Sequence, residues 1–180
     1  VASLRNPVNL AVATWSWGNY YGDAKMKGAK LDVAKWQRPD PKTAPFEAKA
    51  AGLYMIATMS KHTAEANGCS DAMMMDYRGY VAEATGANIF FVKDGEVHTP
   101  TPDAFLNGLT RQTVIEMLTK MGVKVHERHI LPGELEDFSQ CWLTGSAAEI
   151  TPVGQIGNYN FDVGELTQAV SKNYEQLVRE

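Results

Sequence analysis

Only two cysteines, Cys69 and Cys141, occur in 180 residues. They are too few for a disulfide framework and their spacing fits no metal site, so reduced thiols in a cytoplasmic compartment are expected. No apolar run approaches the length of a membrane span, and the first residues show no signal-peptide pattern. Lysine and arginine form no cluster and the net charge is only −4, so neither nucleic acid nor an anionic membrane is expected as a partner. Nucleotide signatures are missing too: there is no Gly-x-x-x-x-Gly-Lys-Ser/Thr and no Gly-x-Gly-x-x-Gly. Ser146 lacks the Gly-x-Ser-x-Gly elbow of hydrolases. Internal repeats, low-complexity tracts and linkers are absent. An apolar fraction of 44% and a charged fraction of 21% are those of one globular domain with its own core. The chain opens at Val1, without methionine, straight into strand-like sequence, which suggests the later part of a longer protein.

What remains alternates between strand and helix signals. Asn9–Ser16 and Lys30–Gln37 read as strands, the first followed by the loop Trp17–Gly22. Pro39, Pro41 and Pro45 break the pattern, and Ala51–Ala66 carries apolar residues at helical spacing until Asn67-Gly68. Asp71–Asp76, Tyr80–Glu83 and Asn88–Lys93 look like successive strands, with turns at Asp76–Gly79 and at Lys93-Asp94-Gly95-Glu96, a hairpin signal. Arg111–Met121 is an amphipathic helix ended by Gly122, and Val123–His129 returns as a strand. A short helix or turn at Glu134–Ser139, a strand at Cys141–Thr144 and a terminal helix at Glu165–Arg179 complete a mixed α/β (α+β) domain. Met73-Met74-Met75 is core filling, and the four tryptophans are packing groups.

Lys49 lies in Pro45-Phe46-Glu47-Ala48-Lys49-Ala50-Ala51-Gly52. An amine among small side chains is poorly hydrated, which lowers its pKa and lets it attack a carbonyl; the alternative is a surface or helix-end lysine. Gly108-Leu109-Thr110 at a helix start and Gly145-Ser146-Ala147-Ala148 after a strand are able to present backbone N–H groups to a phosphate, or to serve as an ordinary cap and a tight turn. Glu83 stands alone in an uncharged stretch and, if buried, needs a charged or donor partner; otherwise it is an edge-strand acid facing water. His126 and His129 fall on opposite faces of a strand, which argues against a metal between them.

In their order, Ala48-Lys49-Ala50-Ala51-Gly52-Leu53-Tyr54, Glu83-Ala84-Thr85-Gly86-Ala87-Asn88-Ile89-Phe90, Gly108-Leu109-Thr110-Arg111 and Thr144–Val153 resemble the fold type IV pyridoxal-phosphate aminotransferases, most closely the branched-chain amino acid aminotransferases. The resemblance implies the D-amino acid aminotransferase-like fold, with a mixed-sheet pseudo-barrel surrounded by helices. Residues 1–180 would be its cofactor-binding large domain, with a smaller N-terminal domain missing from this chain. It implies pyridoxal 5′-phosphate as cofactor, branched-chain L-amino acids and 2-oxoglutarate as substrates, and a homodimer. D-amino acid aminotransferase and aminodeoxychorismate lyase are the alternatives within the fold, and a non-catalytic fragment is the alternative outside it.

Position by position, the resemblance makes Lys49 the Schiff-base lysine and proton shuttle. Tyr54 partners the cofactor's phenolic oxygen, and Glu83 the pyridine nitrogen. Leu109, Thr110 and Ser146 hold the phosphate, and the Ala147–Ala148 turn receives the substrate carboxylate. Two departures stand out: Ala87 replaces a usual glutamate, and Ser146 a commoner threonine.

Overall fold

The computed structural model describes residues 5–16, 18 and 27–179. Its strands are β1 (Ala29–Val33), β2 (Asp71–Met75), β3 (Val81–Ala84), β4 (Asn88–Lys93), β5 (Glu96–Pro100), β6 (Val125–Arg128), β7 (Gln140–Gly145), β8 (Glu149–Ile156) and β9 (Tyr159–Asn160). Its helices are α1 (Met55–Ala66), α2 (Leu109–Lys120) and α3 (Glu165–Arg179), with 3₁₀ turns at Ala51–Tyr54 and Pro132–Asp137. The sheet order is β3-β2-β1-β8-β7-β4-β5-β6, with β9 on β8. Parallel pairs (β1 with β2 and β8, β5 with β6) mix with antiparallel ones.

The two ends of this order meet. Val81 N–H of β3 donates to the carbonyl of Ile130, just beyond β6, at 2.8 Å, and the Tyr80 ring stacks on His129 with centroids 4.9 Å apart. A sheet that twists this far wraps into a half-barrel, as the pseudo-barrel expectation required.

β4 shows why the strands are apolar on both sides. Ile89 and Phe91 face the barrel interior with Leu31, Met73, Leu143 and Phe161, while Phe90 and Val92 face outward with Trp142, under α2 and α3. Burial on both faces selects a continuous hydrophobic run rather than alternation. A third cluster, Ala34, Ala57, Ala64, Ala72 and Met74, seats α1 on β1 and β2. Asp94 and Gly95, both at positive φ (53° and 77°), make the tight β4–β5 turn that the Asp-Gly pair predicts.

Three expectations need correcting, and one strand had none. Residues 9–16 form no strand: Leu10 and Val12 are 92% and 84% exposed, and β-branched content without a pairing partner does not hold a strand. Most of the predicted 17–22 loop lies outside the described residues. The second strand ends at Val33 rather than Gln37, and the chain rejoins the sheet only at the Arg38–Asp76 bridge. No element is expected from the sequence over 149–156, a stretch that contains Pro152 and Gly154. It is nevertheless a central strand, and β1 joins it only from Val153 onward, past the proline. Among the described tryptophans, Trp15 and Trp36 are exposed and Trp142 is buried.

Trp142 is fully buried, stacks on Phe90 (5.5 Å, 8°) and leaves its Nε1 without a hydrogen-bond partner. Trp142→Ala is expected to cost about 3–5 kcal/mol. Trp142→Phe, which also removes the orphaned N–H, is expected to cost clearly less. Denaturant midpoints of both variants check this, and equal losses would refute it.

Candidate active site

The acid comes first. β3 begins the sheet order, so Glu83 sits on an edge strand, but the curl of the sheet buries it to 7% exposure. Arg38 Nε lies 3.3 Å from Glu83 Oε1, and Arg38 is itself buried, its NH1 donating to the carbonyl of Leu53 at 3.4 Å. The pair is an offset one: Arg38 Nε makes no aligned hydrogen bond. Asn88 Nδ2 gives Glu83 Oε2 a long 3.3 Å contact. Burial therefore outweighs the guanidinium and, with nearby Asp71 adding to it, pushes the Glu83 carboxyl up to about 8.

Asn88 ties this acid to the next element. Its Nδ2 also donates to the Leu106 carbonyl (2.9 Å), and its Oδ1 accepts from Gly108 N–H (3.1 Å). Gly108 is the N-cap of α2, and no side chain caps the helix. The first helical bond runs from Gln112 N–H to the Gly108 carbonyl, so the N–H groups of Leu109, Thr110 and Arg111 have no acceptor within the helix. A Cβ on Gly108 would lie 2.5 Å from Asn88 Oδ1, which explains glycine there. Thr110 is buried and Leu109 is 81% exposed. Asn88→Ala removes all three contacts and is expected to lower stability by about 1–3 kcal/mol in urea unfolding. An unchanged midpoint would mean the amide does not brace this corner.

The third piece is the β7–β8 turn. Gly145 pairs with Glu149, which takes φ 49°, and Thr151 Oγ1 donates to the Ala148 carbonyl at 2.7 Å. Thr144 Oγ1 is buried without a partner. The fourth is the segment before α1, with Lys49 and then Tyr54. Burial, then the negative charge of Glu83, raises the Tyr54 hydroxyl, with Arg38 opposing.

Lys49, Tyr54, Glu83, Leu109, Thr110 and Ser146 all line one cleft of about 320 Å³. Ala147 and Ala148 line an adjoining cavity of about 360 Å³ that shares Lys49, Tyr54 and Ser146. All eight residues selected from the sequence therefore come together. The expected shelter of the lysine does not: Lys49 and its alanine neighbours are exposed, because the proline-broken segment lies on the surface and no described element covers it. Arg38 and Asn88 were not assigned roles from the sequence. Arg38 sits in a proline-rich loop with no local signal. Asn88 carried one, a donor five residues beyond an acid that needed a partner.

The profile of the family described as Amino-transferase class IV matches residues 2–156; the chain belongs to the class IV aminotransferases. It is 41% identical over 158 residues to a probable branched-chain-amino-acid aminotransferase of Rickettsia felis, covering 86% of this chain and 54% of that relative. Its fold is similar to that of the branched-chain aminotransferase of Thermoproteus uzoniensis with norvaline, with TM-score 0.87 and 34% identity over 92% of this chain and 55% of that one. It is also similar to an aminotransferase from Brucella abortus bound to the cofactor PLP, with TM-score 0.80 and 33% identity over 86% and 55%. The mixed α/β half-barrel is thus the fold of these enzymes. The chain spans about half the length of the curated relatives it matches.

Proposed function

We propose that this chain binds pyridoxal 5′-phosphate between Lys49 and Glu83 as the large domain of a branched-chain aminotransferase. The enzyme would exchange the amino group of branched-chain L-amino acids with 2-oxoglutarate. The observation that carries the reading is the convergence of Lys49, Tyr54, Glu83, Thr110 and Ser146 on one cleft. The cleft fits the cofactor chemically. It holds a buried acid whose burial outweighs its pairing with Arg38, an orphaned Thr144 hydroxyl and a helix N-terminus with free N–H groups. When bound, the cofactor supplies a carbonyl carbon for amines and a ring that accepts electrons.

Glu83 would hold the proton on the ring nitrogen, and a cation there would bring its own pKa back down. The N–H groups of Leu109 and Thr110, with the Thr110 and Ser146 hydroxyls, would hold the phosphate. Tyr54 would donate to the phenolic oxygen. Lys49 would move the proton at the substrate α-carbon, and the Ala147 and Ala148 N–H groups would orient the substrate carboxylate. Arg38 and Asn88 position Glu83. The exposure of Lys49 supports a further domain and a homodimeric partner that complete the pocket; intact and native masses of the purified protein would reveal both. The free thiols of Cys69 and Cys141 support a cytoplasmic enzyme.

The test is to add pyridoxal phosphate, reduce with borohydride and map the labelled residue, then assay L-leucine, D-alanine and aminodeoxychorismate side by side. Label on Lys49 and turnover of L-leucine support the reading. Turnover of only the other two substrates refutes the branched-chain choice, and no label at Lys49 refutes the cofactor site.

A further inference from the structure

The pair His126-x-x-His129 does diverge: His129 Nε2 bonds Asp103 Oδ2 at 2.9 Å, on the side of the strand away from His126. His126 has other company. In the parallel β5–β6 ladder, His98 stands directly beside His126, and their rings stack with centroids 4.7 Å apart and planes 12° from parallel. Glu96, two residues before His98 on the same face of β5, reaches His126 Nε2 with its Oε2 at 2.6 Å. One donor atom from each of the three residues lies within 4.8 Å of the others. All three side chains are partly buried, at the last strand pair of the sheet and distinct from the residues lining the active-site cleft.

We propose that Glu96, His98 and His126 form a binding site for a divalent first-row transition ion such as Zn²⁺, with water completing the coordination. Two imidazoles and one carboxylate suit such ions, and bond lengths of about 2.1 Å bring ligand atoms to ~3.4 Å from one another. Rotation of these half-buried side chains covers the difference.

The ion takes the place of the proton between His126 Nε2 and Glu96 Oε2; that proton transfers through water to His126 Nδ1, so the ring stays a neutral imidazole with one N–H. Lys124 Nζ, 3.1 Å from Glu96 Oε1, keeps that other oxygen. Arg128 Nε donates to His98 Nδ1 at 3.1 Å, so Nδ1 is the nitrogen with the free lone pair, and the ion competes with Arg128 for it. Arg128 keeps two anchors after displacement, Glu134 Oε2 at 2.8 Å and the His129 carbonyl at 3.0 Å. Burial, with the charge of Arg128 next, lowers the His98 pKa and keeps its imidazole neutral and ready to ligate. Lys124 and Arg128 both repel a cation, and Glu134 offsets Arg128. Binding is therefore weaker than at a site with an unopposed donor set.

The experiment titrates Zn²⁺ into the purified full chain by calorimetry, with Co²⁺ visible absorption as a second readout. One ion per chain is expected, with affinity falling from about pH 7.5 to about pH 6 as protons compete. Glu96→Gln, His98→Ala and His126→Ala should each weaken binding by roughly tenfold or more. Arg128→Gln should tighten it, which a purely structural role for the cluster would not produce. Cys69→Ser and His62→Ala should leave it unchanged. Circular dichroism establishes that each variant is folded, and His98→Gln stands in for a variant that is not. Failure of Zn²⁺ and Co²⁺ to bind, or binding that survives His98→Ala combined with His126→Ala, overturns the proposal.

Discussion

Replacing Lys49 with alanine is expected to lower transamination by roughly a thousandfold or more, because the residue would both bond the cofactor and carry the proton at the substrate carbon. Folding stability should change by no more than about 0.5 kcal/mol, since the side chain is exposed. The contrast separates chemistry from scaffold. The phosphate anchors proposed at Thr110 and Ser146 would not depend on the amine, so cofactor affinity should fall far less than turnover. Rate assays, a cofactor titration and borohydride mapping give the three readouts. If turnover persists and the label moves, the reacting amine is another lysine, and Lys61, which lines the adjoining cavity, is the first to examine.

Glu83→Gln is expected to act on both stability and rate. In the cofactor-free protein the folded state holds the Glu83 proton up to about pH 8, whereas an unfolded chain releases it near 4.5, the ordinary value for a glutamate. A raised acid of this kind favours folding fully below the lower value. Its contribution is lost as pH rises through the upper one, amounting to a few kcal/mol. Stability should thus decline from acid toward pH 8, and the glutamine variant should flatten that slope. With cofactor present the effect reverses in kind: glutamine cannot hold a cationic ring nitrogen, and turnover should drop by about 10²–10³-fold. Chemical denaturation across this pH range and steady-state kinetics check the two halves. A wild-type stability that rises between these pH values would show that Arg38 outweighs burial.

Much of this architecture is local in origin. The Asp94-Gly95 hairpin, the stop of α1 at Asn67-Gly68 and the bounds of α3 are written in neighbouring residues, and the structure has them where the sequence puts them. The misses are non-local. Residues 9–16 have strand-like side chains but no strand to pair with. β8 hides behind Pro152 and Gly154 because its acceptance depends on where β1 joins. The eight selected residues converge, but the environment of each depends on distant chain. Glu83 lies on the strand where Val81 meets Ile130 across the seam, and Arg38 reaches it from a loop 45 positions earlier. The Glu96–His98–His126 cluster is likewise invisible to any within-strand spacing rule, since it is assembled by register across two strands.

Asn88 has one further consequence. Its amide touches Glu83 with one end and the α2 N-cap with the other, so the spacing between acid and helix start is set by a single rigid side chain rather than by loop motion. Such a brace acts as a gauge. Under the proposed function, a phosphorylated heterocycle whose ring nitrogen and phosphate match that interval would engage both ends at once, and one that is longer or shorter would forfeit an end, which would give selection by molecular length before any reaction occurs.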